Sequence, residues 1–335
     1  MITENLNRPR AAIIGTGFCV PERVMTNYDL EKIVDTSDRW IVERTGIRER
    51  RIAADDVATS DIAYEAALKA LEDAGIRAAE LDLIIVATLT PDYLTPSTAS
   101  LLQKRLGADR AAAFDLQSAC SGFVYGAAVA AQFIENGFYK RILVIGAEIL
   151  SKYINWEDRN TCVLFGDGAG AAVFGAAEDG SGILSCDLGS DGRGPEVLGI
   201  PGGGTRYPAS EDTISRKVNR IHMDGRDVFR FAVKALPNTL KRSLEKAGMT
   251  ADELAWIVPH QANIRIIEAA SKRLAMPLER FIVNIERYGN ISAASVPVAL
   301  AEADAAGKFN KGDLIALAGF GAGLTWASCV VKWAK

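Results

Sequence analysis

Short apolar runs bounded by glycine or polar residues alternate along this chain with longer stretches whose apolar positions recur every three to four residues. The first pattern predicts buried strands and the second amphipathic helices. Strands are expected at residues 11–15, 83–88, 112–116, 142–145 and 169–174, and again at 183–188, 256–259, 282–285, 314–318 and 327–333. Helices are expected at 60–74, 98–106, 122–136, 225–247, 264–274 and 295–306. Strands and helices in this alternation predict an α/β fold of layered sheets and helices.

The two strand sets resemble each other. Residues 71–84 read LEDAGIRAAELDLI and residues 244–257 read LEKAGMTADELAWI, identical at 8 of 14 aligned positions. Each is a helix end, a glycine stop, a short loop and a buried strand, a connection on which unrelated segments could converge. The order of the following elements also repeats, which points to an internal duplication. The expected division is an N-terminal half at 1–178 and a C-terminal half at 179–335. The period is far too long for a solenoid.

Composition narrows the function classes. The 335 residues hold 38 Lys+Arg against 42 Asp+Glu, a net charge of −4, and no basic run suited to nucleic acid. No apolar run is long enough to span a bilayer. The first ten residues, MITENLNRPR, carry Glu4 and lack the apolar centre of a signal peptide, so a cytoplasmic protein is expected. The five cysteines (Cys19, Cys120, Cys162, Cys186 and Cys329) are scattered, with no CxxC pair, which argues against a zinc site or a disulfide framework. Only two histidines exist, His222 and His260, so histidine chemistry must use one of them.

Three segments hold candidate chemistry. In AAFDLQSAC (112–120) a strand ends and a helix follows Cys120. A helix N-terminus turns unpaired N–H groups toward the sulfur, and the expectation is a thiol with a lowered pKa. Position alone leaves a buried structural cysteine equally open, and that bland reading suits the other four. WIVPHQAN (256–263) places His260 at the carboxyl end of a strand, where open α/β sheets bind ligands. FIVNIERYGNISAASVP (281–297) places Asn290 in a turn corresponding to the Cys120 region. If the halves stack about a pseudo-twofold axis, the two turns face each other, and His260 and Asn290 could donate to one developing oxyanion. Taken singly, a satisfied histidine and a turn asparagine explain them as well.

Taken together, DLQSACSGF, PHQANIRII and ERYGNISAASVP resemble the cysteine, histidine and asparagine motifs of the β-ketoacyl-acyl carrier protein synthase III family of the thiolase superfamily. DTSDRWIVERTGIRER (35–50), LFGDGAGAAVF (164–174) and GFGAGLTWAS (319–328) resemble further blocks of that family, so the likeness runs nearly end to end. It implies a thiolase-like five-layer αβαβα fold. Cys120 would take an acyl group from acyl-CoA. His260 and Asn290 would bind the thioester carbonyl of malonyl-acyl carrier protein while it loses CO2 and attacks the acyl-enzyme. The N–H groups of Cys120 and Ala322 would form the oxyanion hole; the family usually has glycine at the latter position. The resemblance implies no metal and no cofactor, acyl-CoA being a substrate, and a homodimer. A specialised condensing enzyme or acyltransferase on the same scaffold is the alternative. A degradative thiolase is disfavoured because residues 319–323 hold no second cysteine.

By the same resemblance Trp40 and Arg159 would sandwich the CoA adenine, Arg44 would lie beside the nucleotide, and Gly225 and Asn263 would line the pantetheine tunnel. Arg265, Lys272 and Arg273, with Arg230, would dock the acidic carrier; a solvated basic face is the ordinary reading of such residues. The glycine-rich GDGAGA (166–171) lacks a following GK[ST], so it is read as tight packing between halves rather than a phosphate loop. At Thr95 many relatives have phenylalanine reaching into the partner's acyl pocket. The smaller threonine predicts a deeper tunnel, so competition among acyl-CoA primers is expected to show turnover of chains longer than acetyl; strict preference for acetyl would refute this.

Overall fold

The computed structural model describes residues 9–335; the segment carrying Glu4 lies outside the described residues. The first sheet is formed by β1 (Arg10–Cys19), β2 (Leu83–Ala87), β3 (Ala112–Leu116), β4 (Arg141–Ile149) and β5 (Asp167–Ala177), in the order β1-β5-β4-β2-β3. The second holds β6 (Gly182–Ser190), β7 (Trp256–Pro259), β8 (Leu314–Gly321) and β9 (Thr325–Lys332), in the order β6-β9-β8-β7. Directions also match. β1/β5 and β5/β4 are antiparallel and β4/β2 parallel, as β6/β9 and β9/β8 are antiparallel and β8/β7 parallel.

The long helices are α1 (Thr59–Ala74), α2 (Thr98–Leu106), α3 (Gly122–Glu135), α4 (Gly225–Ala247), α5 (Ile264–Leu274) and α6 (Ser295–Ala305). Alternation along β4 sorts them into layers. Ile142 and Val144 face a central core with Phe123 of α3 and Leu300 of α6, which also contacts Leu317 and Val331 of the second sheet. Leu143 and Ile145 face the other way, onto Ile62 of α1 and Leu102 of α2. On the far side Leu236 of α4 and Ile267 of α5 cover Ile257 and Ala316. The result is five layers, αβαβα, as expected.

The repeated fourteen residues fold alike. Gly75 ends α1 at φ 65° and Gly248 ends α4 at φ 69°, and both cap N–H groups return to carbonyls of the last turn. Glycine suits a left-handed cap because it has no Cβ to clash. Each copy continues into a 3₁₀ turn, Ala78–Glu80 and Ala251–Glu253, whose glutamate accepts a backbone N–H from Arg77 or Thr250.

One expected strand is absent. No strand forms at 282–285; a single parallel bridge, Ile257 with Phe281, precedes it, and Ile285–Tyr288 is a helical turn. The buried Gln261 carboxamide explains the change. Its Nε2 donates to the carbonyls of Pro259 and Ile282, and its Oε1 accepts the Asn284 N–H. One side chain thus takes the hydrogen bonds a strand ladder would supply.

Glycines let the halves meet. A Cβ on Gly146 of β4 would lie 2.2 Å from the Ala293 carbonyl oxygen, and one on Gly319 of β8 would lie 3.0 Å from the Cys120 oxygen. In GDGAGA, a Cβ on Gly170 would meet the backbone of α6 at 2.5 Å, the tight packing expected there. Gly146→Ala is expected to cost about 1–3 kcal/mol by overpacking and to lower activity by displacing the 292–294 turn. Denaturant unfolding measures the first effect, and an unchanged midpoint would refute it.

Candidate active site

Cys120 sits in a 3₁₀ turn, Ala119–Ser121, between β3 and α3. Ala119 holds φ 44°, a left-handed conformation that turns the chain sharply. The thiol is pressed under β8, where a Cβ on Gly321 would lie 2.7 Å from the Cys120 nitrogen. The second half repeats this turn at Ser292–Ala294, with Ser292 at φ 46°. Aligning the two turns pairs Ala119 with Ser292 and Cys120 with Ala293. Asn290 therefore corresponds to Gln117, a refinement of the expected correspondence, and the two turns do face each other.

Cys120, His260 and Asn290 are all buried, with 6%, 1% and 7% exposure. They line one narrow, mostly apolar cavity of about 80 Å³, walled by Phe165, Phe229, Phe320 and Leu324. His260 directly follows β7, and its N–H donates to the Ala318 carbonyl at 2.7 Å. Its Nδ1 lies 2.6 Å from the Ser295 hydroxyl. That hydroxyl oxygen also accepts the Gln261 N–H at 3.4 Å, so its own proton is free for Nδ1. The imidazole then carries its proton on Nε2 and presents a donor to the cavity. The Phe320 ring packs edge-on against it, centroids 5.1 Å apart.

Asn290 is oriented just as firmly. Its Oδ1 accepts the Ser292 N–H at 2.9 Å, which leaves Nδ2 as the group able to donate elsewhere. Its backbone bonds Leu164 and Gly166 of the first half. Beneath this turn lies the fully buried Arg50, whose guanidinium donates to the carbonyls of Met25 and Val163 and to Asn27 Oδ1.

Electrostatics correct one expectation. Burial pushes the Cys120 thiol up to about 12, while a hydrogen bond from Ser292 pulls the other way. The expected lowering fails because α3 begins only at Gly122 and β8 seals the sulfur from water, so desolvation of the thiolate dominates. Burial also pushes His260 down to about 3, which keeps its ring neutral.

The other expected residues divide. Gly225 and Asn263 line the cavity. Asn263 caps α5 through Oδ1 and donates from Nδ2 to the Arg44 carbonyl at 2.9 Å. That bond ties the cavity wall to the short helix Asp38–Thr45, where Arg44 and Arg159 both lie over the Trp40 ring, at 4.8 and 5.1 Å. Arg230, Arg265, Lys272 and Arg273 are exposed on the neighbouring helices α4 and α5. Arg230 pairs with Asp227, and Arg265 lies over Phe229. Ala322 has no left-handed φ, so alanine is unstrained there, but its side chain does not line the cavity. Thr95 is exposed on a loop and does not line the cavity. Sequence reasoning missed Ser292, Ser295, Phe320 and Glu148. The two serines lie inside the quoted asparagine motif, and Glu148 is a lone acid among apolar residues at the end of β4.

Comparisons with known proteins agree with this geometry. Residues 114–192 match the family model described as 3-Oxoacyl-[acyl-carrier-protein (ACP)] synthase III, and residues 244–333 match its C-terminal model. The chain is 56% identical over 323 residues to a beta-ketoacyl-[acyl-carrier-protein] synthase III of Desulfitobacterium hafniense, covering 96% of this chain and 98% of that one. A protein of the same name from Caldanaerobacter subterraneus is 56% identical over 325 residues, covering 97% and 98%. Among solved structures, the 3-oxoacyl-[acyl-carrier-protein] synthase III of Aquifex aeolicus matches with TM-score 0.89 and 47% identity, covering 96% of this chain and all of that one.

The buried imidazole makes a prediction about acid. An unfolded histidine gains a proton below about pH 6.5, whereas folded His260 resists until about 3. Its contribution to stability is therefore complete above pH 6.5 and is lost as pH falls from there toward 3. A His260→Asn variant is expected to lose stability less steeply between pH 5.5 and 4, by about 1.4 kcal/mol per pH unit. Equal slopes in urea unfolding would overturn this.

Proposed function

The chain belongs to the β-ketoacyl-[acyl-carrier-protein] synthase III family, and we propose that Cys120, His260 and Asn290 carry out its reaction. It is an acyltransferase that condenses an acyl-CoA primer with malonyl-acyl carrier protein, releasing CO2 and initiating fatty acid synthesis. The observation supporting this assignment of roles is that two neutral donors from one half and a thiol from the other line a single cavity.

In the first step the Cys120 sulfur attacks the thioester of acyl-CoA. The negative oxygen that forms is held by the backbone N–H groups of Cys120 and Ala322, and CoA leaves. In the second, His260 Nε2–H and Asn290 Nδ2–H donate to the thioester oxygen of the malonyl group. Loss of CO2 leaves an enolate whose charge rests on that oxygen. Fixed donors in a dry cavity stabilise such charge more than water does, since they need not reorganise. A protonated imidazole would hold the carboxylate in place instead, so the depressed pKa of His260 suits a step that must expel CO2. The carbanion then attacks the acyl-Cys120 carbonyl.

Substrate delivery follows the same reading. Trp40 and Arg159 offer an aromatic face and a guanidinium plane between which an adenine can stack. Arg44 lies beside them, and Gly225 and Asn263 line the route inward. An acidic carrier would dock on the exposed Arg230, Arg265, Lys272 and Arg273 of α4 and α5, the helices whose Phe229 and Ile266 line the cavity. We also propose a homodimer, because β3 is an edge strand with exposed Phe114, near a loop exposing Tyr93 and Leu94. Thr95 would reach the acyl pocket only from that partner. The division into halves at 178/179 falls in the link between β5 and β6.

Among the described residues no helix is long and apolar enough to cross a membrane. The shared name of relatives at 56% identity favours fatty acid synthesis over a specialised pathway. Incubation with acetyl-CoA is expected to add one acetyl group to Cys120, read by peptide mass; no gain would exclude the acylation step. His260→Ala and Asn290→Ala are expected to keep that acylation yet slow CO2 release by about 100-fold or more; undiminished release would remove both from the donor role.

A further inference from the structure

Glu148 takes no part in the steps above, yet it reaches the turn that orients Asn290. It lies on β4 two residues from Gly146, and positions two apart along a strand share a face. Gly146 admits the 292–294 turn, since a Cβ there would lie 2.2 Å from the Ala293 carbonyl oxygen. Glu148 then grips that turn: its Oε1 accepts the Ser292 hydroxyl at 3.0 Å. Its Oε2 is anchored in the first half, just past β2. It accepts the Thr90 hydroxyl at 2.7 Å, the Leu89 N–H at 3.2 Å and the Thr88 hydroxyl at 3.3 Å. The Thr90 oxygen also accepts the Ile149 N–H at 3.0 Å, so its own proton is committed to the carboxylate. One side chain with no solvent exposure thus fastens a turn of the second half to the sheet of the first.

The gripped residue matters because of what its backbone does. The Ser292 N–H donates to Asn290 Oδ1 at 2.9 Å and so decides which way the carboxamide turns its Nδ2. Ser292 holds φ 46°, and a left-handed residue with a side chain persists only where its surroundings hold it there. Ala119, at the matching place in the first half, holds φ 44° without a hydroxyl, so the backbone conformation alone does not call for serine. The first half also lacks the acid. By the register that pairs Gly146 with Gly319, the position matching Glu148 is Gly321, where a Cβ would lie 2.7 Å from the Cys120 nitrogen. Carboxylate and hydroxyl therefore occur together only at the turn that orients Asn290. Among the described residues no lysine, arginine or histidine pairs with Glu148, and burial pushes its carboxyl up to about 7. A buried acid without a cation costs stability, and such costly groups collect at functional sites.

We infer that Glu148 is a positioning residue for the second step: by holding the Ser292 hydroxyl, it secures the turn whose N–H aims Asn290 Nδ2 at the malonyl thioester oxygen. Glu148 itself touches no substrate. Its effect passes through the Ser292 hydroxyl to the Ser292 backbone, and from that N–H to Asn290 Oδ1. Releasing the hydroxyl lets the turn shift, and the carboxamide turns with it. A donor stabilises an enolate oxygen well only when it is already aimed there. The loss therefore falls on CO2 release and spares the acylation of Cys120.

This inference rests on Asn290 being a donor to the malonyl thioester, and the test separates the two. CO2 release from carboxyl-labelled malonyl-acyl carrier protein is followed in a single turnover of the acetylated enzyme, and acetylation of Cys120 by intact mass. The variants are Ser292→Ala, Glu148→Gln, Asn290→Ala, and each of the first two combined with the third. Ala119 shows that alanine accepts the Ser292 backbone conformation. Glu148→Gln keeps the volume. Its one oxygen goes to the Leu89 and Thr90 donors, so its amide turns N–H groups toward the hydroxyl that donated to Glu148. Each single variant is expected to slow CO2 release by about fivefold or more, with acetylation little changed. In the Asn290→Ala background there is no carboxamide to aim, and each is expected to slow release by less than about twofold further. A purely structural role would slow release equally in both backgrounds. That result, an equal slowing of acetylation, or release at the parent rate in either single variant would overturn the inference. If Glu148→Gln does not fold, Ser292→Ala decides. If Asn290→Ala alone releases CO2 at the parent rate, the donor role itself fails, and the positioning with it.

Discussion

At the seam between the halves, two strands lack side chains where two turns must sit. Gly146 on β4 and Gly319 with Gly321 on β8 bring the opposite half's backbone within distances that any Cβ would forbid. This close approach puts the Cys120 turn under β8 and the Asn290 turn under β4. The remaining features follow from it. Sulfur, imidazole and carboxamide come from different elements yet share one cavity, which is mostly apolar and buried where backbone lies against backbone. Burial in turn decides the electrostatics, raising the thiol and Glu148 and keeping the imidazole neutral.

Orientation at the site is set by partners that leave one functional atom spare. Ser295 occupies one nitrogen of His260, and the Ser292 N–H occupies the oxygen of Asn290. Neither donor depends on a neighbouring charge, so both stay effective while the substrate's own charge moves. The duplicated scaffold is thus used unequally: one copy of the turn presents a buried thiol, and its counterpart lies beside the Asn290 carboxamide.

Much of the fold could be read from the chain because its signals are local. Helix stops at Gly75 and Gly248 and the alternation along β4 are properties of neighbouring residues, and the α/β alternation follows from them, whereas the five-layer αβαβα order was legible only through the family resemblance. The missing strand at 282–285 was illegible because a side chain twenty-one residues away, Gln261, replaces its ladder. The direction of the Cys120 shift was illegible for a similar reason. A helix start is visible in sequence, but burial under a strand two hundred residues later is not. Cys120, His260 and Asn290 were named through motifs, whereas Glu148 meets Ser292 across 144 positions and no spacing rule connects them. The role of Thr95 is not legible in one chain, where it is exposed and does not line the cavity.

Gly319 and Gly321 lie close to the carboxyl end of the chain, while Cys120 lies in its first half. During synthesis the cysteine therefore emerges some two hundred residues before the strand that covers it. Until β8 is made and inserted, the thiol lacks the strand that buries it. An incomplete chain thus leaves open the cysteine that the complete fold buries, and the enclosed cavity arrives with the last strands of the second sheet.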